Sequence, residues 1–159
     1  NRKYTAEEYK ALCDKIRSTF KNPSITTDVM VGFNEESEED FIESLNFVKS
    51  IGFEKVHTFP YSERKGTRAS QIGDSVSKAE KERRASIMIE ETEKIRLEYM
   101  ESLIGQSVCV LFENEIENGI YQGYTKNYIP VRLKSDKNII GEEITCTVEA
   151  VKDDICFAN

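Results

Sequence analysis

The 159-residue sequence lacks most of the side chains from which self-contained hydrolytic and metal sites are built. It has one histidine, His57, and its carboxylates sit mostly on helix faces, so no Ser–His–Asp or Cys–His arrangement stands out and a self-sufficient hydrolase is not expected. Its four cysteines are Cys13, Cys109, Cys146 and Cys156, and no two stand two or three residues apart. That excludes the usual zinc and iron–sulfur spacings. Each cysteine sits among apolar neighbours, which points to core thiols in a reducing, cytoplasmic compartment, with a disulfide scaffold as the alternative. No apolar run approaches the about 18 residues of a membrane-spanning helix, so no membrane association is expected. These residues show no charged-then-apolar stretch of the secretory type, and a chain opening at Asn1 leaves room for an upstream segment. The sequence also lacks a basic excess. Its net charge is −7, which argues against tight nonspecific binding to nucleic acid.

What remains is a soluble, globular composition, 38% hydrophobic and 32% charged, sized for one domain or two small ones. Residues 5–20 read as a helix. Thr5 and Glu8 match a capping box, and Tyr9, Leu12, Ile16 and Phe20 form a stripe at helical spacing. Residues 25–33 read as a strand, with Val29, Met30 and Val31 in continuous apolar sequence, as in parallel strands covered on both faces. A helix capped by Ser37, with Phe41, Leu45 and Val48 inward, ends at Gly52. A second strand follows over 54–59. This strand–helix–strand unit suits a crossover between parallel strands. Residues 62–76 read as a long polar loop, and 77–103 as a charged helix packing on the α/β part through Ala85, Met88, Thr92, Ile95 and Tyr99. At Gly105 helical spacing gives way to alternation. Val108, Val110 and Phe112 share one side, Asn118-Gly119 marks a hairpin, and five short strands predict a small closed barrel.

Three places could carry chemistry. Each of the first two strands runs into a polar, glycine-bearing loop, GFNEESEED after the first and FPYSERKGT after the second. Ligands of α/β folds bind outside the carboxyl ends of parallel strands. A turn with a solvated acidic helix start would explain the first loop equally well, and its acidity makes it a poor phosphate cradle. Asp28, placed inside an apolar strand, needs partners if buried, and either caps local backbone or serves a site. His57, at the second strand, is read first as a packed or hydrogen-bonded residue. In the barrel, Tyr121, Tyr124 and Tyr128 interleave with Lys126, Arg132 and Lys134. Aromatics stack on bases and cations meet phosphates, although the same residues could simply cover a thin core.

Longer motifs carry a resemblance. ITTDVMVGFNEESEEDF is similar to the ITTD-hydrophobic-IVGFPGETEEDF strand and helix of the radical-SAM methylthiotransferases that modify tRNA. KVHTFPYSERKGTRAS resembles their HVFPYSxRxGTxAA segment, NRKYTAEEY the helix before the first motif, and GYTKNYIPVRL the central strand pair of their terminal TRAM domain, an RNA-binding barrel. The pattern looks nearest to the enzymes acting on N6-threonylcarbamoyladenosine. Those acting on isopentenyladenosine, or on a ribosomal-protein aspartate, share much of it.

The resemblance implies an α/β plus all-β chain. Residues 1–76 would be the C-terminal part of a partial, TIM-like radical-SAM barrel, 77–103 a connecting helix and 104–159 a TRAM-like, OB-like barrel. The implied cofactors are S-adenosylmethionine and two [4Fe–4S] clusters in the full-length protein, whose cluster ligands are absent from this sequence, so the piece alone is expected to be inactive. The implied partners are a tRNA anticodon stem-loop and the protein's own N-terminal domains, and open strand edges are expected to promote self-association. Carried over residue by residue, Val31, Gly32, Phe33, Pro60, Tyr61 and Ser62 would line S-adenosylmethionine. Arg64, Gly66 and Thr67 would shape the mouth where the RNA base enters, and Tyr124, Lys126, Tyr128 and Arg132 would meet RNA. No catalytic residue and no metal ligand is carried over. Asn34 and Glu35 stand where the family has Pro and Gly, which alters the turn. A non-catalytic RNA-binding module is the alternative reading.

Overall fold

The computed structural model describes residues 3–159. The chain forms two compact units that divide between Arg96 and Leu97. In the first, helix α1 (Ala6–Thr19) starts with the expected reciprocal cap. The Thr5 amide donates to Glu8 Oε2 at 2.8 Å, and the Glu8 amide donates to Thr5 Oγ1 at 3.2 Å. Strand β1 (Thr26–Val31) leads to α2 (Glu38–Ile51), capped by Ser37 with Asp40 and closed by Gly52 in the left-handed conformation. Strand β2 (Lys55–Pro60) returns parallel to β1, in a register that sets Asp28 beside His57 and Met30 beside Phe59.

Helices cover one face of this two-stranded sheet. Cys13, Val31, Phe41, Val48, Ile51, Phe53, Ala85 and Met88 form its core, with Val29 and Val56 packed against them. The other face is open, so β1 is covered on one face rather than two. Its continuous apolar sequence hid an alternating burial pattern, because Met30 projects to the open side and is 47% exposed. Asp28 is likewise exposed, which removes the need for buried partners that its sequence position suggested.

The stripe on α1 is also displaced from its expected position. Leu12 and Phe20 are exposed, and Cys13 is the buried residue. Arg17 Nη2 donates to the Gly52 carbonyl at 2.7 Å and Lys10 Nζ to the Ser50 carbonyl at 3.2 Å. These bonds turn the Tyr9–Cys13–Ile16 face inward. The long polar loop contains a five-residue helix, α3 (Arg68–Ile72), started by a Thr67 cap on the Ser70 amide. Helix α4 (Lys78–Glu101) gives Ala85 and Met88 to the core of the first unit, and its Met100 belongs to the core of the second.

The second unit is a closed five-stranded barrel, in the order β3-β4-β5-β7-β6. The strands are β3 (Ser107–Glu117), β4 (Ile120–Thr125), β5 (Pro130–Lys134), β6 (Glu143–Lys152) and β7 (Ile155–Ala158). All pairings are antiparallel except β5 with β7. Val110, Phe112, Tyr121, Ile129, Val131, Val148 and Cys156 fill the interior. Tyr121 therefore leaves the expected outward row of tyrosines. Burial, aided by Glu115, pushes its phenol above the ordinary value.

Closure brings β3 against β4 so tightly that Gly123 has no room for a side chain. A Cβ there would overlap the Leu111 carbonyl and lie 2.7 Å from Phe112 Cα. Backbone atoms cannot swing aside as a side-chain tip can. Gly123→Ala is therefore expected to destabilise the barrel by about 1–3 kcal/mol in urea unfolding followed by tyrosine fluorescence. An unchanged midpoint would contradict this packing.

Candidate functional site

The carboxyl ends of β1 and β2 lie side by side, with Val31 paired to Pro60 and the Tyr61 amide donating to the Val31 carbonyl at 2.8 Å. Val31 itself is buried, so only its backbone is part of this surface. Gly32 follows with φ +71°, a conformation that disfavours side chains, and a Cβ there would run into the Lys81 stem. Phe33 is 44% exposed and meets the Tyr61 ring edge-on, with centroids 5.0 Å apart. Pro60 and Ser62 are exposed and Tyr61 is buried. The structure thus brings all six expected cofactor-lining residues to one end of the sheet.

Two buried cations from α4 hold these segments. Arg84 Nη1 donates to Glu36 Oε2 at 2.7 Å and to the Glu36 carbonyl at 2.9 Å, and Arg84 Nε donates to Glu80 Oε1 at 2.8 Å. Glu36 Oε2 also accepts from the Gly32 amide at 2.7 Å. Burial works against the charge of Arg84, but its bonds to Glu36 and Glu80 outweigh it and its pKa lies above the ordinary value. Glu80 is held down to about 2, first by Arg83 and then by Arg84. Lys81 pairs with Asp74 and places its ammonium 5.1 Å from the centre of the Tyr61 ring. Arg84 therefore fixes the first strand-end segment, and Lys81 links the second to the loop beyond it.

Neither cation was singled out by sequence reasoning. In a helix this charged they read as solvated. The available signal is their spacing, since Lys81, Arg84, Ala85, Met88 and Thr92 fall on one helical face.

The altered turn is tied to its surroundings. Asn34 Nδ2 donates to the Ala69 carbonyl, and the Glu35 amide donates to Ser75 Oγ at 2.9 Å. Among the described residues, Asn34 Oδ1 and Tyr61 Oη are buried without a hydrogen-bond partner. Arg64, Gly66 and Thr67 lie on the exposed loop before α3. The Arg64 carbonyl accepts from Thr67 Oγ1 at 2.8 Å, and Gly66 has φ +84° in open space.

In the barrel, Tyr124, Lys126 and Tyr128 come together on a cavity of ≈ 260 Å³ with Cys109, Leu111, Glu113, Thr125 and Glu143. Tyr128 is 82% exposed and has φ +60°, a strained conformation for an aromatic residue. Its amide donates to the Thr125 carbonyl at 2.9 Å, which holds the β4–β5 turn. Arg132 does not line this cavity. It sits on the next strand, where Nε donates to Gln122 Oε1 at 3.0 Å. Glu113 and Glu143 make the patch one of mixed charge.

The class defined by these features is an α/β unit followed by a small closed β-barrel. No protein-family model matches the chain. Curated relatives do, along nearly its whole length. The tRNA-2-methylthio-N(6)-dimethylallyladenosine synthase of Endomicrobium trichonymphae is 38% identical over 159 residues, which is 100% of this chain and 38% of that protein. Proteins of the same name from Thermoanaerobacter sp. (strain X514) and Oceanobacillus iheyensis are 40% and 38% identical over 144 and 154 residues. These matches take in 89% and 96% of the chain, and 31% and 30% of those proteins. The chain belongs to the radical-SAM tRNA methylthiotransferase family and spans about a third of the length of these relatives. Their name is the dimethylallyladenosine one, so the expected leaning toward threonylcarbamoyladenosine is not supported.

Glu35 stands with φ +64° where the family motif has glycine. Left-handed backbone costs an ordinary residue about 1–2 kcal/mol. Glu35→Gly, which retains the amide bonded to Ser75, is expected to stabilise the first unit by about 1 kcal/mol in urea unfolding. Equal or lower stability would show that the loop is held in this shape without strain.

Proposed function

We propose that this chain is the part of a tRNA methylthiotransferase that forms one wall of the S-adenosylmethionine site and carries an RNA-contacting, TRAM-like barrel. The observation that carries the proposal is the convergence of Gly32, Phe33, Pro60, Tyr61 and Ser62 at the carboxyl ends of two parallel strands. In this reading the two-stranded sheet is part of a larger radical-SAM barrel, and its open edges are where the remaining strands, or a second copy of the chain, would pair.

The residues present fit S-adenosylmethionine. Exposed Phe33 and Pro60 offer an apolar wall beside the buried Gly32, and Asn34 Oδ1 and Tyr61 Oη, buried behind it, have unspent hydrogen-bonding capacity. Val31 would act through its backbone position. When bound, S-adenosylmethionine would supply the methyl group and the radical chemistry of the family. This chain's residues would bind and orient it. Arg84 would keep Gly32 and Glu36 in place, and Lys81 would brace Tyr61. The residues do not fit the iron–sulfur clusters. Among the described residues no group of three or more His, Cys, Asp or Glu could hold a metal. The ligands of both clusters are assigned to other parts of the whole protein.

Arg64, Gly66 and Thr67 would border the entry of the RNA base. Tyr124, Lys126 and Tyr128 suit stacking on an unpaired base and contact with phosphate, with Arg132 nearby in sequence on β5. The exposed, strained Tyr128 favours RNA contact over a covering role, since a ring that is 82% exposed buries little. The substrate proposed is N6-dimethylallyladenosine beside the anticodon of a tRNA, in the cytoplasm. No helix among the described residues is long and apolar enough to cross a membrane.

The gene that encodes the chain, expressed whole in a host lacking tRNA methylthiolation, tests this by mass spectrometry of tRNA nucleosides. The expected product is 2-methylthio-N6-dimethylallyladenosine. A methylthiolated threonylcarbamoyl nucleoside would move the substrate assignment. No methylthio nucleoside would overturn the proposal.

A further inference from the structure

Apolar packing does not place the segment over 62–76. None of its residues is buried or belongs to the core of the first unit, and Ile72, at the end of α3, is 58% exposed. Its internal bonds shape α3 without positioning it. The Ser70 amide donates to Thr67 Oγ1 at 3.2 Å, and Ser70 Oγ donates to the Thr67 carbonyl at 2.8 Å. A helix of five residues is not stable by itself, so its place is set by bonds to other parts of the unit. Among the described residues, three polar ties supply them. Asn34 Nδ2 donates to the Ala69 carbonyl, the Glu35 amide donates to Ser75 Oγ at 2.9 Å, and Lys81 pairs with Asp74. The Asn34 tie reaches α3 itself, whereas Asp74 and Ser75 come after it. Ala69 offers one of the terminal carbonyls of α3, which lack a partner within the helix. A carbonyl accepts and never donates, so Asn34 must face it with its amino group. Asn34 is 7% exposed, so water competes little for this bond.

We infer that Asn34 is a positioning residue for the RNA substrate. By holding α3 it fixes the loop of Arg64, Gly66 and Thr67, which runs directly into that helix through the Thr67 cap. The Glu35 tie uses a backbone amide, which the family's glycine would keep. The Asn34 tie uses a side-chain donor, which the family's proline lacks. The departure from the family motif thus adds a fastening between the turn after β1 and the loop after β2. A loop ordered beforehand need not be ordered by its ligand, so the tie acts on RNA affinity. The cofactor wall does not depend on it. Phe33 rests on the Tyr61 ring, and Glu36 holds the Gly32 amide at 2.7 Å. This role rests on the reading of the Arg64–Thr67 loop as the border of the RNA entry.

Asn34→Leu separates this role from that of filling the turn. Leucine keeps the bulk of the side chain and removes its donor, together with the buried, unpaired Oδ1, so the fold is not expected to weaken. Asn34→Ala is a second variant that cannot crowd the turn. In the 159-residue chain, hydrogen exchange at the Gln71, Ile72 and Gly73 amides is followed by NMR. Exchange there is expected to be about 5-fold faster in either variant, the worth of one ordinary hydrogen bond, with the amides that pair β1 and β2 unchanged. In the protein expressed whole, KM for tRNA is expected to rise by about 5-fold, with kcat and KM for S-adenosylmethionine unchanged. Unchanged exchange in both variants would overturn the tie. Faster exchange with an unaltered KM for tRNA would overturn the positioning role and leave the proposed function standing. A parallel rise of both KM values would assign Asn34 to the cofactor wall and overturn the inference. A whole, unaltered protein that forms no methylthio nucleoside would remove the proposed function and this role with it.

Discussion

The first unit depends on one buried charge. Arg84 joins α4 to the turn after β1, and through Glu36 it fixes the amide of Gly32. Two ionised groups out of water are stable only when both are paired. Here they are. Glu36 accepts from Gly32 and Arg84, and Arg84 also meets Glu80 and the Phe41 ring. Removing one partner of such a pair typically costs about 3–5 kcal/mol, because the other is left buried and uncompensated. The turn is thus held by α4 as well as by the bonds of its own Asn34 and Glu35.

A helix that supplies the clamp also supplies the support for the second segment. Lys81 passes behind Gly32, pairs with Asp74 and lies over Tyr61. Substituting Gly32 would therefore act twice, through its backbone angle and through the Lys81 stem. Further along, Arg96 pairs with the buried Glu54, whose Oε2 accepts from Ser24 Oγ at 2.6 Å. The helix-facing side of the sheet is consequently fastened by ionic bonds at both strand ends, while its other face stays open. In the barrel, closure leaves no strand edge to fasten. Its constraint is close approach, visible at Gly123.

Much of this was legible in the sequence where a local rule decides the outcome. The Thr5–Glu8 and Ser37–Asp40 caps, the Gly52 stop and the Asn118-Gly119 hairpin depend on neighbouring residues alone, and the structure has them all. Five alternating segments gave the barrel. The burial of β1 was not legible, because Met30 is apolar and yet faces the uncovered side, and sequence does not tell which faces a sheet has covered. Leu12 was misplaced because Arg17 and Lys10 bond to the end of α2 alongside the packing of Tyr9 and Cys13, which rotates α1 away from the apolar stripe. Tyr121 and Tyr124 look alike in sequence but point to opposite sides of β4, one into the core and one to the cavity. The clamp was hidden because buried cations resemble solvated ones until a tertiary partner such as Glu36 is seen.

The central claim is that Arg84, through Glu36, holds the strand-end backbone in its ligand-ready form. Hydrogen exchange at the Gly32 amide tests it most directly, in the unaltered chain and in Arg84→Met, whose side chain can still pack on Phe41. The account expects a protected Gly32 amide that becomes fast-exchanging in the variant, while the amides that pair β1 with β2 remain protected. Equal Gly32 protection in both proteins, with the fold retained, would contradict it.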